Sequence, residues 1–244
     1  MKITRVEVTP KQGDGLKDVR GDLIKRQLKA DHSIEIAEIR SIVGFLVSSD
    51  IPSQDIAERC DDLFADPIIE HSLTDALFLE SRDIYPNIPD AAISVGFKPG
   101  VTDNPGKAAL DGFTTLFPNT ATNSDISTYI TYVFYGVPQE VSIEWLSATL
   151  YNNLIERAVI SNQQQCQNNQ WPAIEYPVKP PQEFTTPKHI DLEISDDDLI
   201  EISEQGLLAL NLEEMQAIQS HYRNDEIRKS RTSVGIVADK PTDV

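Results

Sequence analysis

Cysteine, histidine and positive charge are all scarce in this chain of 244 residues, and each shortage removes a class of function. There are two cysteines. Cys60 falls on the apolar stripe of a predicted helix and Cys166 in a polar stretch, and their spacing points to no structural disulfide. Both read as free thiols of a reducing compartment, with Cys60 protonated and inert on its core stripe. The four histidines are His32, His71, His189 and His221. None has a second histidine, cysteine or carboxylate at a spacing that recurs in metal sites. His189-Ile190-Asp191 comes nearest, and a solvated loop histidine is the better account of it. Lysine and arginine number 21 against 39 aspartates and glutamates, a net charge of −18. A phosphate backbone would meet like-charge repulsion where a basic protein releases counterions, so nucleic acid is not an expected partner. No apolar run reaches the ~18 residues of a membrane span. Met1-Lys2-Ile3-Thr4 leads straight into a strand pattern with no signal-peptide core, so the chain reads as cytoplasmic with no membrane partner.

What is present is a repeat. Ile93, Val95 and Phe97 alternate with Ser94, Gly96 and Lys98, the two-residue period of a half-buried strand. Pro99-Gly100 makes a turn, Asn104-Pro105 reads as a helix cap followed by a pre-set φ, and the helix runs through Leu110, Phe113, Leu116 and Phe117. Earlier in the chain Val6 and Val8 alternate with Glu7 and Thr9, Gly13 and Gly15 turn the chain, and a helix opens at Asp18 to Gly21 and runs through Leu28. Asp18 to Asp103 and Gly21 to Gly106 are both 85 residues apart, and Ala65 to His71 answers to Tyr151 to Arg157 at 86. A drift of one residue is what a loop insertion leaves. The pattern is a duplicated strand-helix-strand-helix-strand unit, and two such units are expected to pack on each other so that their apolar sheet faces are shielded.

In chain order, residues 1–90 form the first unit and 91–161 the second. Within them, Ile34 to Ser48 and Ile126 to Val137 read as central strands, with Gly44 as a bend or bulge. A helix after Pro52 carries Ile56, Cys60, Leu63 and Phe64 on one stripe, and another is expected from Glu140 to Asn152. Residues 162–193, rich in Gln, Asn and Pro, read as an extended linker lying over a surface. Residues 194–244 begin a helical segment: Ser195 and Asn211 are N-caps, and Arg223 to Val244 is polar with no terminating logic, so the chain reads as a fragment. The fold class is α+β: two tandem ferredoxin-like units forming a pseudo-dimer, with antiparallel sheet and helices on one face, then the linker and a short helical segment.

No catalytic, cofactor-binding or metal-ligating residue is predicted. Gly100 to Ala108 invites a phosphate-loop reading, but five residues separate Gly100 from Gly106 where that motif has four, and Ala108 stands where a hydroxyl should hold magnesium. Asp196 to Asp198 lacks the spaced ligands of a calcium loop and is better read as compensating a helix dipole. Tyr129 to Tyr135 lacks the basic residues a base-stacking platform needs, so core packing is favoured. No Ser-His-Asp or Cys-His grouping has supporting context.

Phe97 to Gly106 resembles the KPGV-x-DPxG signature of the small subunit of phosphoribosylformylglycinamidine synthase, and Tyr151 to Arg157 is similar to the NPxIE stretch of the same family. Leu210 to Gln219 and Pro241-Thr242-Asp243-Val244 look like the helical linker region that leads into its synthetase body. The resemblance covers most of the chain apart from roughly Ser161 to Ile190. It implies the N-terminal, structural part of an ATP- and magnesium-dependent ligase of purine biosynthesis. That enzyme converts formylglycinamide ribonucleotide to the amidine with ammonia from a glutaminase. The family's SEHC-like catalytic segment lies beyond Val244, so no catalytic residue is carried over. No cofactor is expected in this chain, and the implied partners are the synthetase and glutaminase parts of the same enzyme. Gln12 replaces the motif's proline and two extra residues precede Asp18, so the first turn should differ from the second. The rival expectation is a ferredoxin-like regulatory module that binds an amino acid or a nucleotide.

Overall fold

The computed structural model describes residues 2–13, 15–118, 123–178 and 188–242. The chain divides into two compact units, Met1–Pro180 and Pro181–Val244. The first begins with β1 (Lys2–Pro10), α1 (Val19–His32), β2 (Glu38–Ser49), α2 (Ser53–Glu58), α3 (Cys60–Leu63) and β3 (Glu70–Thr74). A single 3-10 turn at Phe78–Glu80 follows. The order then recurs as β4 (Ala91–Phe97), α4 (Asn104–Leu116), β5 (Asp125–Tyr135), α5 (Ile143–Ala148) and β6 (Glu156–Asn162), closed by α6 (Gln163–Gln167).

All six strands belong to one antiparallel sheet, ordered β3-β1-β2-β5-β4-β6. The two halves therefore meet edge to edge, with β2 and β5 pairing continuously from Glu38↔Tyr135 to Ser48↔Asp125. This corrects the expectation that the halves shield each other face to face. Pairing two long strands satisfies a whole row of backbone donors and acceptors that face-to-face packing would leave as open edges.

Alternation sorts the side chains into two layers. One face of the sheet carries Val6, Val8, Val47 and Ile126, which pack with Ile56, Cys60 and Phe113. On the same face Ile39, Ile93, Val95 and Phe134 pack with Leu28 and Leu146. The helices α1 to α5 thus lie on one side, as the pattern predicts, and α6 is the exception, with its Cys166 on the other. The opposite face carries Ile42, Ala92 and Val133 and is covered by Phe78, Leu79, Tyr85 and Cys166 from the connecting segments. Farther along, Ile174 covers Leu46 and Tyr129.

The two halves repeat their anchoring hydrogen bonds. Asp18 caps α1 by accepting from Gly21 N at 2.8 Å, and its carboxylate also accepts from Ser41 N and Ser41 Oγ on β2. Asp103 caps α4 by accepting from Gly106 N at 2.7 Å, and also accepts from Thr128 N and Thr128 Oγ1 on β5. Lys11 Nζ donates to the Pro67 carbonyl and Lys98 Nζ to the Asn153 carbonyl. Asp66 N and Asn152 N donate to the carboxylates of Glu70 and Glu156, four residues on in each case. The turns before the helices differ, as the extra residues before Asp18 predict. The first uses Gly13 and Gly15, both at positive φ, while Gly100 alone does so in the second.

Several local expectations are corrected. The α4 cap is Asp103, with Asn104 inside the helix, because a carboxylate has a second oxygen to spare for Thr128 where an amide has one acceptor. The stripe from Ile56 to Phe64 is broken at Arg59 into α2 and α3. The helix expected from Glu140 to Asn152 is confined to α5, where Ser142 supplies the N-cap. Gly44 is neither bend nor bulge, since the ladders run through it unbroken on both sides. In the linker, the Gln-rich start folds as α6, held by a reciprocal Asn162–Gln165 capping box. Trp171, Ile174 and Tyr176 of the following stretch pack on the sheet, whereas Pro180, Pro181 and Pro187 fall outside the described residues.

The unit Pro181–Val244 contains α7 (Asp196–Gln205), α8 (Leu212–Arg223) and α9 (Asp225–Ser233). Ser195 and Asn211 cap the first two with reciprocal bonds from Asp198 and Glu214, which also places the three aspartates at the positive helix end. The core is Leu192, Leu199 and Met215 with Ile194, Ile202 and Tyr222 around it. Arg223 and Arg228 both reach Glu193. α9 lies in the stretch that reads only as polar. Asn224 caps it, and it buries no residue, so no apolar periodicity announces it. Asp243 and Val244 lie outside the described residues. Among the described residues no helix is long and apolar enough to cross a membrane.

Candidate functional site

The second sheet face brings a buried carboxylate and a buried phenol into contact with a half-buried guanidinium. Alternation on β1 puts Arg5, Glu7 and Thr9 on this face, and the register aligns Glu7, Gly44 and Tyr129 in one row across β1, β2 and β5. With no side chain on Gly44, the Tyr129 ring lies over it and its hydroxyl donates to Glu7 Oε1 at 2.7 Å. Phe78 N donates to Glu7 Oε2 at 2.8 Å. Arg5 donates to the same tyrosine oxygen at 2.5 Å and to the Ile174 carbonyl at 3.0 Å, tying residues 171–178 to the sheet. Beside them Ser94 Oγ contacts Thr131 Oγ1 and donates to the Pro172 carbonyl, both at 2.6 Å.

Glu7 is 3% exposed, and burial raises its carboxyl above the ordinary 4.5 despite the bonds it accepts. Burial likewise raises the Tyr129 phenol, with the Glu7 charge adding to it. A buried acid with a raised pKa is the usual mark of an acid-base catalyst. Here both carboxylate oxygens are already engaged and Ile174 lies over the tyrosine, so the arrangement works as a clasp between the halves. A folded pKa above the unfolded one means that the folded state keeps the proton longer, so stability falls as pH rises from about 4.5 through the folded value. Urea unfolding at a series of pH values should show this decline, and Glu7→Gln should flatten it.

A second polar feature sits at the other end of the same face. Arg40, on β2 and 6% exposed, stacks its guanidinium on the Tyr85 ring at 3.9 Å and donates from Nη1 to the Ile84 carbonyl at 2.7 Å. Tyr85 in turn contacts Thr9 Oγ1 through its hydroxyl at 2.7 Å. Arg40 lines a cleft of about 360 Å³ together with Glu38, His71, Asp83, Asn87 and Tyr135.

The residues weighed in the sequence are scattered. Gly100 to Ala108 is a turn and a helix start, with Asp103 committed to the Gly106 and Thr128 donors. His32 packs edge-on against Trp145 and His221 against Tyr222. His189 forms an isolated bridge with Thr242, and His71 lines the Arg40 cleft. Cys60 and Cys166 are both free and buried. Cys166 is fully covered and not in an open polar linker, and burial pushes its thiol up to about 11. Among the described residues no three His, Cys, Asp or Glu side chains converge on a metal-sized space.

The basic residues found missing around Tyr129 to Tyr135 come from other strands. Arg5 lies over Tyr129 at 5.2 Å and Arg40 over Tyr85, so both cations are engaged by aromatic rings of the sheet face, Arg40 buried and Arg5 half-buried. Sequence reading had a signal for this, since Arg5 and Glu7 fall on the polar phase of β1. What it could not supply was the pairing that sets them opposite Gly44 and Tyr129. Comparison with known proteins finds no family model and no curated protein that matches the chain.

Proposed function

We propose that this chain is an architectural part of a phosphoribosylformylglycinamidine synthase. On this reading it consists of two small-subunit-like, ferredoxin-like units fused as a pseudo-dimer, with the beginning of the helical linker after them. It works in the cytoplasm, and its partners are the synthetase and glutaminase parts of that enzyme. The observation that carries the reading is what the signature-like residues do. Asp103 and Gly106, in the stretch that resembles the family's motif, fasten α4 to β5 by the same bonds through which Asp18 and Gly21 fasten α1 to β2. A motif whose polar atoms are spent twice on joining helix to strand specifies a scaffold. The ATP and magnesium chemistry belongs, on this reading, to sequence outside the chain.

The test is an activity assay. The purified chain, given ATP, magnesium, glutamine and formylglycinamide ribonucleotide, should release neither phosphate nor glutamate above a buffer control. Turnover that tracks the chain through purification would overturn the architectural reading.

A further inference from the structure

We propose that the cleft at Arg40 is a binding site for a free α-amino acid, whose carboxylate meets the Arg40 guanidinium and whose ammonium faces Glu38 and Asp83. The starting point is the cost of what is seen. Arg40 is 6% exposed, yet among the described residues no carboxylate lies within 4.0 Å of it, and its buried Nε–H has no hydrogen-bond partner. Taking a guanidinium out of water without a counter-ion costs several kcal/mol, and the Tyr85 face and a single carbonyl return part of that. A planar fork held against an aromatic ring, with donors left over, is the geometry that accepts a carboxylate.

The surroundings choose among anions. Glu38 and Asp83 are exposed carboxylates on the wall of the same cleft, so its net charge does not favour a phosphate or a dicarboxylate. A zwitterion satisfies both ends: one negative group inward at Arg40, one positive group at the acidic wall. Asn87, His71 and Tyr135 also line it, and a cleft of about 360 Å³ is at the small end of ligand sites. The site lies wholly in the sheet-bearing unit, and the inference stands independently of the assembly reading.

The experiment is calorimetric titration of the whole chain with each of the twenty L-amino acids, their N-acetyl derivatives, acetate and inorganic phosphate. At least one amino acid should bind with a dissociation constant of about 1 mM or tighter. Its N-acetyl derivative, acetate and phosphate should each bind at least about tenfold more weakly. Arg40→Met should abolish the heat. Because that residue is buried, the exposed pair Glu38→Gln and Asp83→Asn serves as the second variant, expected to weaken binding about tenfold without lowering the melting temperature. Three results would each overturn the proposal: no heat from any amino acid, phosphate binding as tightly as the best amino acid, or binding unchanged in the acidic-wall variant. Loss of this site would leave the assay for ATP and glutamine turnover untouched, and turnover would leave the titration untouched.

Discussion

Gly44→Ala should destabilise the protein by about 3 to 5 kcal/mol, which is large for the addition of one methyl group. A Cβ built on Gly44 would meet three atoms of the Tyr129 ring at well under 3.0 Å. The ring cannot swing away cheaply, because its hydroxyl is held by Glu7 on one side and Arg5 on the other. The methyl therefore adds a clash and also displaces the phenol from the buried carboxylate, which leaves Glu7 and Arg5 short of a partner each. A double-mutant cycle with Tyr129→Ala identifies the cause. Once the ring is gone the clash is gone, so the double variant should be no less stable than Tyr129→Ala alone, to within about 0.5 kcal/mol. Strict additivity would mean that the methyl acts elsewhere, as would a single-variant loss below about 1 kcal/mol.

Gly21→Ala and Gly106→Ala should each cost more than about 3 kcal/mol, although both place alanine in a helix, where it is intrinsically preferred by about 1 kcal/mol. At Gly21 the new Cβ would press into the Ile39 carbonyl, and at Gly106 into the Ile126 carbonyl. Both are backbone atoms fixed in the sheet, so relief requires lifting the helix start off its strand and pulling the capping aspartate away from Ser41 or Thr128. Gly112, also in α4, is the control. Its added Cβ meets the tip of the Leu63 side chain, which can rotate aside, so Gly112→Ala should be near neutral or slightly stabilising. Equal losses at all three positions in chemical denaturation would contradict the close-approach argument.

Much of this arrangement is legible in the residues. The alternation of Val6 and Val8, and of Ile93 and Val95, gives the strands and their buried face. The spacing of Asp18 and Gly21 against Asp103 and Gly106 gives the recurrence, and the matching hydrogen bonds follow it closely. The edge-to-edge join was not legible, because alternation says which side chains share a face and is silent on which strand lies alongside which. The same gap hid the clasp: Glu7 and Tyr129 are 122 residues apart, and only the β1-β2-β5 register sets them on one row with Gly44 between. The folding of α6 turns on the reciprocal Asn162–Gln165 capping box, a signal weak beside the hydrophobic period, and the apolar stripe from Ile56 to Phe64 runs through the break at Arg59, where neither helix end has a side-chain cap. Arg40 was missed for a related reason. A lone arginine in a strand reads as solvent-facing, and its burial depends on Tyr85 and Ile84 arriving from the far connector.

As a platform for other catalytic parts, the role proposed above, the chain should bind those parts. Size-exclusion chromatography with light scattering tests it most directly, using the chain mixed with the synthetase and glutaminase polypeptides of a phosphoribosylformylglycinamidine synthase from the same source, in ATP, magnesium and glutamine. A co-eluting complex whose mass includes the chain is the result expected. Elution of the chain by itself, with the other two components assembling without it, would contradict the account.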